Sequence, residues 1–145
     1  MQFPSLNRDR KEWAFGVFRN VRGAAFAAGD SVVLDVASPD GNRVTLAAAA
    51  TLGLFVGVSL DAPEDTGYFR VQTYGYHSAT KIINGTTNVT MPAGSSLKTA
   101  ASVVHLVADI TAPTGGVVHA AYLLETVAGT TVTTAVTKKV FIRAL

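Results

Sequence analysis

The sequence predicts an all-β protein: a compact single-domain β-barrel or β-sandwich over residues 13–145, preceded by an extended N-terminal arm over residues 1–12. Three observations carry this reading. Apolar residues alternate with polar ones at period two, most plainly where Phe69, Val71 and Thr73 oppose Arg70, Gln72 and Tyr74. Turn residues recur roughly every 8–12 positions, which suits about ten short strands. No long polar linker divides the chain, and its 145 residues suit one domain. No internal repeat of fixed period is visible.

Pro4 opposes helix in the first twelve residues, and the charged run Asn7–Glu12 has no apolar period, so an extended arm is expected there. Trp13, Phe15 and Val17 then share one face at period two, the signature of a strand over Trp13–Asn20. Small residues from Gly23 to Asp30 make a turn, and Ser31 to Val36 is a β-branched strand. Ser38-Pro39-Asp40-Gly41-Asn42 reverses the chain, because proline fixes φ and glycine accepts positive φ, so Arg43–Leu46 returns as a hairpin partner. Ala47–Ala50 suits a single helical turn. Gly53–Leu60 reads as an apolar strand whose glycines permit bending or close packing.

An acidic turn at Asp61–Asp65 leads into the alternating strand, and Ser78–Ile83 is short and mixed. Asn84-Gly85 has the form of a two-residue hairpin turn. Pro92-Ala93-Gly94 makes a further turn between Asn88–Met91 and Ser95–Thr99. Ser102–Ile110 is a nearly continuous apolar strand, Pro113–Gly116 interrupts the chain, and Val117–Thr126 reads as a buried strand. Thr130–Thr137 is rich in Thr and Val, and Lys138–Arg143 closes the chain as a last strand.

Composition narrows the function. The absence of cysteine excludes disulfides, thiol catalysis and cysteine-ligated metals. Charged residues make up 15% of the chain against about 25% in average soluble domains. A surface this poor in charge suits either a Thr/Ser/Ala-covered β-protein or one partly covered by a partner. No run of 18 apolar residues exists, and the first residues lack the basic start and apolar core of a signal peptide, so synthesis in a cytoplasm and no membrane attachment are expected. Basic residues gather at the two ends, and the candidate partner-binding residues are Arg8, Arg10, Lys11, Trp13, Lys138 and Lys139. Arginines and aromatics are not interleaved as a base-stacking platform requires, which argues against nucleic acid as the partner.

Catalytic motifs are lacking. His77, His105 and His119 are widely spaced and read as core or interface histidines rather than metal ligands. Asp61, Glu64 and Asp65 lack calcium-loop spacing and read as a solvated turn. There is no Gly-x-Ser-x-Gly elbow, and Gly53–Gly57 is too apolar for a phosphate loop. The aromatics Tyr68, Phe69, Tyr74 and Tyr76 suit a barrel core on one side and a protein interface on the other. A non-enzymatic protein without catalytic residues, cofactor or metal is expected.

The order of pieces is informative. Asn20, Gly23 and Ala27–Asp30 lead into Val32-Val33-Leu34-Asp35; Val56-Gly57-Val58-Ser59-Leu60 follows, and an acidic turn then enters Gly67–Tyr76. Across roughly Val17 to Lys98 this resembles the small β-rich capsid decoration, or cement, proteins of tailed bacteriophages. The resemblance implies a structural virion protein on the capsid surface. Such a protein, made in the host cytoplasm, binds the major capsid protein and its own copies as a homotrimer and braces the shell against packaged DNA. The charged arm before Trp13 and the Thr/Val-rich stretch from Val117 depart from the family pattern. The alternatives are another phage structural component (head fibre base, tail tube or connector) or a carbohydrate-binding β-module that uses Trp13 with Tyr74 and Tyr76.

Overall fold

The computed structural model describes residues 13–37, 40–84, 89–108, 121–129 and 134–144. The arm, His119 and the segments around Pro113–Gly116 and Thr130 lie outside the described residues. Among the described residues nine strands follow in chain order: β1 (Trp13–Asn20), β2 (Ser31–Leu34), β3 (Arg43–Thr45), β4 (Phe55–Ser59), β5 (Tyr68–Ile83), β6 (Ser96–Lys98), β7 (Leu106–Ala108), β8 (Ala121–Leu123) and β9 (Val136–Arg143). A single 3₁₀ turn at Ala49–Thr51 occupies the alanine run, where a helical turn is expected. The chain is all-β, as its alternation and turn spacing predict.

The long strand β5 organises the molecule. Its buried residues alternate as Phe69, Val71, Thr73, Gly75 and His77, then change phase to Thr80 and Ile82. The change has a physical cause. Pairing with β9 runs from His77–Val140 to Thr80–Lys138, so β5 spends one residue more than its partner. Such a bulge moves every later side chain to the opposite face. The bulge is held by His77, whose Nδ1 lies 2.8 Å from Thr80 Oγ1 and accepts a bond from Ala79 N at 3.4 Å. His77 is thus a core histidine, as its setting in the sequence predicts. One exception to the alternation is Gln72, buried on the polar phase. A second bulge brings Gln72 opposite Phe15, and its amide donates to the carbonyls of Tyr74 and Tyr76 at 3.2 and 2.9 Å.

β5 pairs with β1 and β4 along its first half and with β9 and β7 along its second. Two closed rings result, one of β1-β3-β2-β4-β5 and one of β5-β7-β6-β8-β9. Closure removes most exposed sheet edges. Each ring follows the same plan. The first strand pairs parallel with the third, the third antiparallel with the second, the second with the fourth, the fourth with the fifth, and the fifth closes on the first.

The likeness extends to single hydrogen bonds. Gly29 N donates to Ser59 O at 2.8 Å, and Gly94 N donates to Leu123 O at 2.7 Å. Phe26 N donates to Pro63 O as Met91 N does to Val127 O, and Leu60 N to Arg70 O as Leu124 N does to Lys139 O. The carboxylate of Asp61 accepts Arg70 N, and that of Glu125 accepts Lys139 N. The molecule is therefore an internal duplication of a five-strand unit whose copies share β5. No period betrays it in the sequence, because the copies agree in backbone pairing rather than in side chains.

The rings are packed unequally. The second is filled by Ile82, Met91, Leu97, Leu106, Leu123 and Ile142, each fully buried, and β4 adds Phe55 and Val58. The first holds a smaller cluster of Phe26, Val32, Val44, Phe69 and Val71. Two contacts join the rings closely. Gly29, at φ +86°, approaches so near that a Cβ would lie 2.5 Å from Ala79 O. Asp30, almost wholly buried, takes Lys81 Nζ on Oδ1 at 2.9 Å. Removing one partner of such a buried pair leaves the other charge stranded in low dielectric.

Two expectations are corrected. Asn84-Gly85 is not a hairpin turn between neighbouring strands, because β7 lies between β5 and β6. Asn84 is buried and its amide donates to Val89 O, much as Asn20 donates to Ala24 O in the first ring; Gly85 lies outside the described residues. The apolar run at Ser102 does not extend as one strand. Ser102 sits at φ +62° in a turn, Val104 O accepts Ser31 N at 2.7 Å, and Leu106–Ala108 pairs as β7; Asp109 and Ile110 lie outside the described residues.

Candidate docking surface

β1 is built to face outward. Trp13, Phe15 and Val17 share one face, as their spacing predicts, but that face meets solvent at 42%, 49% and 58% exposure. The reason lies on the other face, where Gly16 and Phe18 sit opposite Val71 and Phe69 of β5. The rings of Trp13 and Phe15 stack with centroids 5.0 Å apart. Across the sheet, Tyr68, Tyr74 and Tyr76 also point outward from β5, and Tyr74 meets Phe141 of β9 edge-on at 5.3 Å.

β1 also keeps an open edge. β5 pairs along Trp13–Arg19, whereas β3 reaches only Arg19 and Asn20. Among the described residues no strand pairs with the other edge of Trp13–Phe18. An apolar strand edge with unpaired backbone groups is a template for pairing with a further chain.

The predicted site residues do not converge. Arg8, Arg10 and Lys11 lie outside the described residues. Trp13 pairs with Gly75, whereas Lys138 pairs with Thr80 on the opposite edge of β5, so the strand itself separates them. Lys138 and Lys139 occupy opposite faces of β9, and the Lys139 backbone amide is held by Glu125 Oε1 at 2.8 Å. The basic ends therefore form no single patch among the described residues. Sequence reasoning missed Val17 and Phe141 as surface groups, because an apolar residue at period two gives no sign of which face is wet.

The polar clusters serve structure. Asp61 binds the Arg70 guanidinium through both oxygens, at 3.0 and 2.7 Å, and that pairing holds its carboxyl below the usual range. Asp65 accepts Gly23 N at 2.9 Å. His105 Nδ1 lies 3.8 Å from Asp30 Oδ1, buried and without a hydrogen-bond partner. Burial pushes His105 below the ordinary histidine range, Asp30 opposes that shift, and Lys81 and Arg22 reinforce it. Among the described residues no group of three or more His, Asp or Glu could hold a metal ion, and no helix is long and apolar enough to cross a membrane.

A concavity accompanies the surface. A groove of about 390 Å³ opens into the first ring, lined by Phe18, Leu34, Leu54, Phe55, Val56 and Thr73. Its walls are almost entirely apolar, and it offers no paired acid, base or nucleophile for chemistry. Comparison with protein-family models and with curated proteins finds no match for the chain.

Proposed function

We propose that the chain is a structural virion protein that decorates a bacteriophage capsid and cements neighbouring major capsid subunits, its own copies meeting as a homotrimer on the shell. The observation that carries this reading is the start of β1, an open strand edge bearing exposed Trp13, Phe15 and Val17. Apolar surface of this kind beside unpaired backbone groups needs a partner, since left bare it invites aggregation. A repeated shell supplies such a partner many times over. Binding only to the assembled shell stabilises it by mass action, and repetition adds avidity to a modest interface. The low charge content fits a surface that is partly covered.

A carbohydrate-binding module is the second reading, favoured by the stacked Trp13–Phe15 pair near Tyr74 and Tyr76. One experiment separates the two. The protein is sedimented with shells of the major capsid protein encoded in the same genome, and its melting is followed with and without soluble sugars. Saturable co-sedimentation that falls sharply for Phe15→Ser and Val17→Ser, at unchanged melting temperature, supports the capsid reading. Sugar-dependent stabilisation without co-sedimentation overturns it.

A further inference from the structure

The two rings share one plan, yet their interiors differ among the described residues. Hydrogen bonding places Arg70 in the first copy where Lys139 stands in the second. Three positions further on, Thr73 lines the open groove of the first ring, whereas Ile142 is fully buried in the second. The first ring thus carries a small polar side chain and a groove of about 390 Å³ where its duplicate carries packed hydrocarbon. Pockets of roughly 300–1,000 Å³ hold ligands up to drug size, so this one admits the apolar side chains of a short peptide.

The groove opens where the arm begins. Thr73 of β5 lines the groove, and its Oγ1 donates to Ala14 O at 3.3 Å. Trp13 and Ala14 pair with Gly75 and Tyr74 of the same strand. Residues 1–12 therefore join the described chain beside the mouth of the groove. Their composition is divided: Met1, Phe3, Pro4 and Leu6 are apolar, and Asn7–Glu12 are polar and charged. No glycine lies among these twelve residues to favour a reversal toward the chain's own mouth. The six residues from Asn7 to Glu12, extended, span roughly 20 Å. An extended span of that length would let Phe3–Leu6 reach the barrel of an adjacent copy.

We propose that the groove of the first ring receives Phe3–Leu6 of a neighbouring copy, so that each arm fills the mouth its neighbour leaves open. The contact completes an interior that the second ring completes with its own side chains, and it locks copies together through exchanged segments. This rests on the reading above that copies of the chain sit side by side.

The chain lacks cysteine, which makes disulfide trapping clean. Purified Phe3→Cys protein is mixed with Leu54→Cys protein in solution, without shells, and oxidised. Leu54 is half-exposed on the groove wall, so its change leaves the buried core intact. The proposal expects a disulfide-linked pair of chains from this mixture, and none when Phe3→Cys is mixed with Tyr68→Cys, whose side chain is exposed on the outer face of β5 and lines no part of the groove. A Phe3→Cys/Leu54→Cys double variant that closes within a single chain at high dilution would place the arm in its own groove and overturn the exchange. Linkage no greater than the Tyr68→Cys control would overturn it as well. Failure of trapping alongside intact co-sedimentation counts against the exchange alone. Trapping without co-sedimentation counts against the capsid reading alone.

Discussion

Replacing Gly57 with alanine places a methyl carbon 2.0 Å from the Gln72 carbonyl oxygen and 2.8 Å from Val71 Cγ1. Real Cβ atoms keep at least 3.0 Å, so β4 and β5 must separate by about 1 Å. The nearest atom belongs to the backbone of the shared strand and cannot rotate aside. Overpacking of this kind costs about 1–3 kcal/mol. The neighbouring ladder bonds around Val58–Gln72 weaken with it, at about 1 kcal/mol each. The expected total is about 3 kcal/mol. In a domain of this size each kcal/mol moves the midpoint by roughly 2–4 °C, so the melting temperature should fall by about 6–12 °C. Gly53→Ala is the matched control, since nothing lies within 4 Å of its would-be Cβ, and its effect should stay within about 0.5 kcal/mol. Thermal unfolding followed by circular dichroism measures both. If the two variants melt together, the close approach of β4 to β5 is misread and the shared-strand architecture loses its tightest contact.

Two further predictions concern the core and the histidines. Phe69, 3% exposed and stacked on Phe26, should cost about 3–5 kcal/mol when changed to alanine, whereas neighbouring Tyr68, 66% exposed, should cost under about 0.5 kcal/mol; denaturant titration reporting the reverse order would mean the β5 faces are assigned backwards. Burial lowers the affinity of His77 and His105 for protons below that of an unfolded histidine. Below a pH of about 6.5 the unfolded chain therefore binds more protons than the folded one, and stability drops as pH falls from there toward the folded values. The Asp61–Arg70 pair acts in the same direction in a lower window, its stability present above the ordinary carboxylate range and lost only in stronger acid. Melting temperatures measured from pH 7 to pH 5 should fall, and a His77→Gln/His105→Gln variant should flatten the profile; an equally steep profile in that variant would assign the acid sensitivity to other groups.

The sequence makes local structure legible where one residue's neighbours decide it. β1, the β2–β3 hairpin, the 3₁₀ turn in the alanine run and the buried phase of Phe69, Val71 and Thr73 all follow from spacing and turn chemistry. Features set by strand pairing do not. The phase change after His77 depends on how β9 pairs across β5, and nothing in Ser78-Ala79 announces an inserted residue. Asn84-Gly85 has hairpin chemistry, yet Asn84 spends its amide on Val89 O. The parallel pairs β1–β3 and β5–β7 join residues 24 positions apart, Arg19 with Arg43 and Ile82 with Leu106, and no local signal encodes them. The duplication is hidden for the same reason. For the surface, Trp13 is recognisable as an aromatic on a short strand, but Lys138 and Lys139 are assigned by charge alone and land across β5 from it. The groove draws its lining from four strands and two loops, so no stretch of sequence contains it.

The central claim is that the outward face of β1 and β5 is covered by a repeated protein partner. Electron microscopy of the shells proposed to carry this chain tests it most directly. The account predicts that the chain occupies symmetry-related positions on the shell, with Trp13, Phe15 and Val17 buried in its contacts. Particles that lack the chain, or that carry it with those three side chains open to solvent, would contradict the account.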